Sequence, residues 1–198
     1  MNGLILGRSS GWVVPLVLGI ISLLVSLSGS GAQDRLSYDR SGISEGEPWR
    51  LVTGHFAHLG LSHMLLNIAG LALVWLLVGS AFTLWQWVLV VVMSIAIIDL
   101  CFWFLDPGLI WYVGLSGLLH SMLVAGIIGR MREAPVESLA LAVIVAAKVV
   151  WEQLAGPLPG SESSAGGPVV VNAHLYGAIA GIIAAGALRL RAALRAPI

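Results

Sequence analysis

The chain has 198 residues, of which 58% are hydrophobic and only 10% charged, and its mean hydropathy is +0.95. Soluble domains carry about a quarter charged residues, so this chain lacks the polar side chains needed to cover a water-facing surface. Ten Lys+Arg balance ten Asp+Glu, which excludes a basic nucleic-acid-binding face and an acidic disordered tail. The lone cysteine, Cys101, excludes an intrachain disulfide and reads as an inert thiol in an apolar run. An all-α, polytopic protein embedded in a lipid bilayer is the remaining class.

A bilayer-spanning helix needs about 20 mostly apolar residues. Six stretches answer to that: about 12–28, 61–79, 82–104, 114–129, 136–154 and 170–188. The first follows Arg8 and precedes the small residues Ser28-Gly29-Ser30-Gly31-Ala32, a pattern shared with secretory signal peptides. Its apolar run is long for such a signal, which favours an uncleaved first helix. A Gly- and Ser-containing connection over 29–60 holds Trp49, Arg50, His55 and His58, and a second, rich in Gly, Ser and Pro, covers 155–169. With no soluble domain and no internal repeat, residues 1–198 read as a single transmembrane bundle. An N-in/C-in arrangement puts Arg8, Arg130, Arg132, Arg189, Arg191 and Arg195 inside, against Arg35, Arg40 and Arg50 outside, as the positive-inside tendency requires.

Polar side chains are costly at membrane depth and each needs a reason. In this topology the second, fourth and sixth helices enter from the outer face, and their outer ends carry His63 and Asn67, Ser116, and His174. Helical rise puts Ser116 roughly 21 Å from Arg130, His174 roughly 22 Å from Arg189 and Asn67 roughly 20 Å from Ser80. In a hydrocarbon core of about 30 Å, all three lie some 10 Å below the outer surface. His63 and Asn67, four apart, share a face. Gly177 and Gly181 share a face with His174, and small residues at that spacing let helix backbones approach closely. Gly114 and Gly117 flank Ser116, which sits near a helix N-terminus with its unpaired backbone N–H groups.

Those residue types suit acyl transfer. A serine hydroxyl becomes nucleophilic when a histidine takes its proton. The resulting oxyanion needs donors, for which His63, Asn67 and the Ser116 backbone N–H are candidates. The expectation is peptide hydrolysis beneath the membrane surface, with Ser116 as nucleophile and His174 as general base.

At this point the motifs resemble those of rhomboid intramembrane serine proteases. Trp49-Arg50 followed by His58, His63 and Asn67 resembles the family's W-R and H-x4-H-x3-N patterns. Gly114-Leu115-Ser116-Gly117 resembles G-x-S-G, and Ala173-His174-x2-Gly177-x3-Gly181 resembles A-H-x2-G-x3-G. The resemblance spans about residues 49–190 and implies a six-helix rhomboid-like bundle. It also implies a Ser-His dyad without a third acid, and an oxyanion site using the histidine and asparagine of the second helix. His120 stands where the family often has a tyrosine that packs on the catalytic histidine, and Ser121 where it often has glycine. His120, the small size and the Lys148…Trp151-Glu152-Gln153 segment resemble the rhombosortase subgroup. That likeness implies a bacterial inner (cytoplasmic) membrane and a site open to the periplasmic side. It implies as substrates transmembrane proteins with a C-terminal Gly-Gly motif, a helix and a basic tail.

Blander readings stand beside these. Ser116, His174, His63 and Asn67 would also serve as interhelical hydrogen-bonding residues, as in a non-catalytic rhomboid-like protein that binds membrane helices. A transporter is disfavoured by the absent inverted repeat and the few intramembrane acids. His55, His58 and His63 lack an H-E-x-x-H frame and a completing carboxylate, so neither metal nor cofactor is expected. His58 reads as loop support. His120, one turn below Ser116, is expected to orient His174. Asp99, Lys148 and Glu152 lie at similar depth, with Lys148 and Glu152 four apart, and read as a partly buried ion pair. Trp49, Trp111 and Trp151 read as interfacial anchors.

Overall fold

A computed structural model describes residues 11–194. Arg8 and Arg195, used above for orientation and for the signal-peptide reading, lie outside the described residues. The chain runs through α1 (Val13–Leu27), α2 (Ser30–Leu36), β1 (Tyr38–Asp39), α3 (Arg40–Ser44), α4 (Arg50–Thr53) and α5 (Leu61–Val78). After a 3-10 turn, Gly79–Ala81, come α6 (Leu84–Phe104), β2 (Trp111–Tyr112), α7 (Ser116–Arg130), α8 (Pro135–Ala155), α9 (Ser161–Ala165) and α10 (Val171–Leu194). Helices occupy all six apolar stretches. Among the described residues, four regions are long and apolar enough to cross a membrane: Leu61–Ala81, Leu84–Phe104, Pro135–Ala155 and Val171–Leu194. α1 is a shorter apolar helix.

The fourth expected span is the exception with a structural reason. α7 has 15 residues, roughly 22 Å of helix, which falls short of a hydrocarbon core of about 30 Å. It is the central helix of the bundle, packed on α5, α6, α8 and α10, and it buries Gly117, Leu118, Leu119, Ser121, Met122, Ala125, Gly126 and Ile127. A helix enclosed by others can begin below the surface, because the loop feeding it is covered by protein rather than lipid. The outer helices are apolar on the far side too: Leu76 is 72% exposed and Leu154 84%. Such side chains are stable facing lipid and costly facing water.

Local chemistry sets the helix ends. Thr83 caps α6 by accepting from the Gln86 N–H, while Gln86 accepts from the Thr83 N–H, a reciprocal capping box. Pro135 opens α8, where its missing N–H costs nothing. At the Arg130 end of the bundle, Trp75, Phe82 and Trp87 pack as an aromatic group, and the Trp87 indole donates to Gly79 O at 2.9 Å. The Arg130 guanidinium donates to Leu77 O.

At the opposite end the 29–60 connection is ordered by side chains reaching backbone carbonyls. Arg40 donates to the carbonyls of Phe102, Trp103, Asp106 and Leu109, capping the C-terminus of α6. Arg50, 9% exposed, donates to Asp34 O and Ser37 O and pairs with Glu47. β1 pairs antiparallel with β2, matching Tyr38 with Tyr112. Tyr38, Phe102, Tyr112 and Tyr176 form a second buried cluster beneath them. This clamp holds the loop that feeds α7.

Candidate active site

Three glycines make the site possible. Gly114 has φ +130°, a conformation that side chains strongly disfavour. A methyl group there would also lie 3.0 Å from His63 Cε1 and 4.0 Å from Asn67 Nδ2. The turn at Gly114 thus runs against the polar face of α5 and then starts α7 at Ser116. Gly177 faces α7 so closely that a Cβ would collide with the Gly117 carbonyl, and one at Gly181 would lie 2.5 Å from Ser121 O. This contact between backbones brings α10, and with it His174, onto Ser116.

The geometry at that contact is specific. His174 Nε2 lies 2.9 Å from Ser116 Oγ. His174 is 6% exposed and Ser116 half-buried. The other ring nitrogen, Nδ1, is 2.8 Å from Glu152 Oε2. Glu152 Oε1 in turn accepts from Lys148 Nζ at 2.7 Å. The His120 ring stacks on His174 with centroids 4.3 Å apart and planes 22° apart. His120 Nδ1 donates to Ser116 O at 2.7 Å, which fixes the stacked ring to the helix carrying the serine.

Two of the residues expected to serve an oxyanion, His63 and Asn67, lie against Gly114, two residues before Ser116. Leu59 N–H approaches His63 Nδ1 at 3.4 Å, so the ring proton belongs on Nε2, the atom facing Gly114. Asn67 is buried, with its amide bonded to His63 O at 3.2 Å. Ser116 is the first residue of α7, so its N–H has no acceptor within the helix.

Several charged and aromatic residues near the site have partners that sequence spacing does not identify. Asp99 does not join Lys148 and Glu152; it takes His55, with Nε2 3.2 Å from Oδ1. Depth along a helix says nothing about direction around it, and Asp99 faces the loop side of α6. His55 packs edge-on to Tyr112, whose hydroxyl donates to Gly114 O. Burial pushes the Tyr112 phenol up, opposed by the Gly117 backbone and the Ser116 hydroxyl against it, so it acts as a neutral donor fixing the nucleophile loop. Tyr112 carried no signal in the sequence beyond standing two residues before Gly114. His58 packs edge-on to His63 and is pushed down to about 4 by burial and by His63. Trp49, Trp111 and Trp151 are each partly exposed at this end.

The expected dyad and ion pair also turn out to be one cluster. The Lys148–Glu152 pair is present, but its carboxylate reaches the catalytic candidate His174, whereas the resemblance implied no third acid. Lys148 and Glu152 account for each other one helical turn apart, so nothing in the sequence pointed to a third member. His120, Glu152 and His174 offer ligand atoms within 4.8 Å of one another, a set that a metal ion would fit by type. The Lys148 ammonium already supplies the cation at Glu152.

Fold and site together define a polytopic helical membrane protein with a serine–histidine pair sunk below one end of the bundle. A model of the rhomboid domain matches residues 45–191. The chain belongs to the rhomboid family, whose members are typically intramembrane serine proteases acting on transmembrane proteins, and it is an integral membrane protein. No curated protein matches it.

Proposed function

We propose that this protein is an intramembrane serine endopeptidase that cuts transmembrane segments near their outer ends. The observation that carries the reading is the 2.9 Å contact between His174 Nε2 and Ser116 Oγ. Ser116 attacks the scissile carbonyl carbon as its proton passes to His174 Nε2. The oxyanion is held by His63 Nε2–H, the Asn67 amide and the Ser116 backbone N–H. His174 then returns the proton to the leaving amide nitrogen, and water, deprotonated by the same ring, releases the acyl chain. Hydrogen-bond donors aimed where charge develops supply much of such catalysis.

Six spans with both termini inside are the topology we propose. Among the described residues, Arg130, Arg132, Arg189 and Arg191 lie at the end of the bundle away from Ser116, while Arg35, Arg40 and Arg50 lie at the Ser116 end. The positive-inside tendency then opens the site to the outer face, which in a bacterial inner membrane is the periplasm. The substrates we propose are rhombosortase-like: C-terminal Gly-Gly sorting tails followed by a helix and basic residues. Glycine costs a helix about 1 kcal/mol relative to alanine, so such a segment unwinds readily into a buried site.

The competing reading is a rhomboid-like protein that binds membrane helices without cutting them. Co-reconstitution in liposomes with a reporter carrying a Gly-Gly–helix–basic tail separates the two. Cleavage by wild type and none by Ser116→Ala, with mass spectrometry placing the cut beside the glycines, supports the protease. Reporter binding without cleavage supports the binding protein. Cleavage confined to reporters lacking the Gly-Gly tail would keep the protease and reject the sorting substrate.

A further inference from the structure

Glu152 is the charged group that two-residue hydrolysis leaves without a task. It is 3% exposed on α8, a helix that carries neither Ser116 nor His174. A buried carboxylate is expensive unless paired and hydrogen-bonded. Here Oε1 takes Lys148 Nζ at 2.7 Å and Oε2 takes His174 Nδ1 at 2.8 Å. A simple ion pair would be complete with Lys148 alone. The second oxygen instead meets the far nitrogen of the ring that touches the nucleophile.

We propose that Glu152 is a positioning residue for His174, completing a Ser116–His174–Glu152 relay whose carboxylate is held by Lys148. The assignment rests on the hydrolytic reading above. It follows from the ring's proton inventory. A neutral imidazole has one N–H and one bare nitrogen. Were Nδ1 bare, its lone pair would face carboxylate oxygen Oε2 at 2.8 Å, which is repulsive. Nδ1 therefore carries the proton and donates to Glu152, which leaves Nε2 bare to accept the Ser116 hydroxyl. Lys148 Nζ also lies 3.3 Å from His174 Nδ1, because ammonium and ring grip the same carboxylate.

In the acylation step the Ser116 Oγ–carbon bond forms while the Oγ proton moves to Nε2, making an imidazolium. The Nδ1 proton stays in place and Glu152 stays ionised, so it opposes the new positive charge directly. When the carbon–nitrogen bond breaks, the Nε2 proton leaves with the amine and the neutral ring returns. Lys148 balances the carboxylate while the ring is neutral, so no uncompensated buried charge persists between turnovers. His120 stacks on the ring face and fixes its plane, and Glu152 fixes its rotation and tautomer.

The test uses full-length protein in liposomes with the cleavable reporter and a fluorophosphonate probe. Glu152→Gln keeps the shape and a hydrogen-bonding group but removes the charge and the tautomer preference. We expect kcat and the labelling rate to fall by about 10²–10⁴-fold while KM stays within about threefold. Glu152→Asp, retaining a carboxylate, should recover at least about tenfold over Glu152→Gln. The double variant Lys148→Met/Glu152→Gln removes both charges together, avoids a stranded buried lysine, and should lose as much as Glu152→Gln. A folded single or double variant with near-wild-type kcat, or a loss confined to KM, overturns the relay. Were Ser116→Ala to cleave like wild type, the hydrolytic reading itself would fall. A wild-type signal that needs no Glu152 or Lys148 variant decides the matter even where those variants do not fold. The ¹⁵N resonances of the His174 ring, assigned by their loss in His174→Ala, should show a protonated Nδ1 and a bare Nε2. The opposite tautomer overturns the proposal.

Discussion

Substituting Gly177 by alanine adds one methyl group at the contact on which the site depends. The new Cβ would fall on the Gly117 carbonyl oxygen, well inside contact distance, whereas a carbon–oxygen contact settles at about 3.3–3.6 Å. Both atoms belong to backbone, so no rotamer change relieves the clash. α10 must move away from α7 by about 1 Å, which carries His174 Nε2 from 2.9 Å beyond hydrogen-bond range of Ser116 Oγ. A misplacement of about 1 Å costs roughly 10²-fold in rate, and overpacking of this kind costs about 1–3 kcal/mol of stability. Helix propensity returns about 1 kcal/mol in the other direction. The expected result is a folded but less stable protein with kcat/KM down about 100-fold. Gly186 is the control on the same helix: a Cβ there meets nothing within 4 Å, so Gly186→Ala should keep full activity and gain slightly in stability. Reporter cleavage in liposomes and thermal melting in detergent read both effects. Gly177→Ala with wild-type kcat/KM would refute the claim that close backbone packing of α7 and α10 sets the serine–histidine distance.

Other outcomes follow from the same geometry. Asn67→Ala removes an oxyanion donor and should lower kcat by about 10²–10³-fold, some 3–4 kcal/mol, with KM little changed in reporter kinetics. His120→Tyr keeps a ring against His174 and should retain about 3–10-fold more activity than His120→Ala, the usual worth of an aromatic pair; equal losses would remove the stacking role. Because His58 titrates near 4 when folded and near 6.5 when unfolded, the unfolded state binds more protons between those values. Stability contributed by the neutral ring is therefore complete above about pH 6.5 and is lost as pH falls toward 4, by up to about 3 kcal/mol. Melting of wild type against His58→Phe across that range checks it, and parallel curves would contradict it. Chelator treatment should leave reporter cleavage intact, since Lys148 holds Glu152; loss of activity restored by a divalent metal would instead assign His120, Glu152 and His174 as ligands.

The parts of the site legible in the sequence are those fixed by helical repeat. His63 and Asn67 four apart, Gly177 and Gly181 four apart, and Ser116 beside two glycines define faces and a helix start without tertiary information. Matching depth on three helices then points to one plane. What spacing does not carry is direction around the axis, so similar depth did not show that Asp99 pairs with His55 and not with the Lys148–Glu152 pair. For the same reason the reach of Glu152 to His174, across two helices, was invisible. The short elements within 29–60 were equally hidden. They are stabilised by Arg40 and Arg50 donating to distant carbonyls, contacts with no local periodicity. α7 matches its apolar stretch to within two residues at each end, but apolarity alone does not show that this short helix is the enclosed, central one.

Hydrolysis at this site requires that His174 activate Ser116. Purified protein in liposomes, treated with a fluorophosphonate probe and mapped by mass spectrometry, tests that directly. One adduct is expected, on Ser116, in wild type, and none in Ser116→Ala or in folded His174→Ala. A folded wild type that stays unlabelled, or an adduct that persists in His174→Ala, would contradict it.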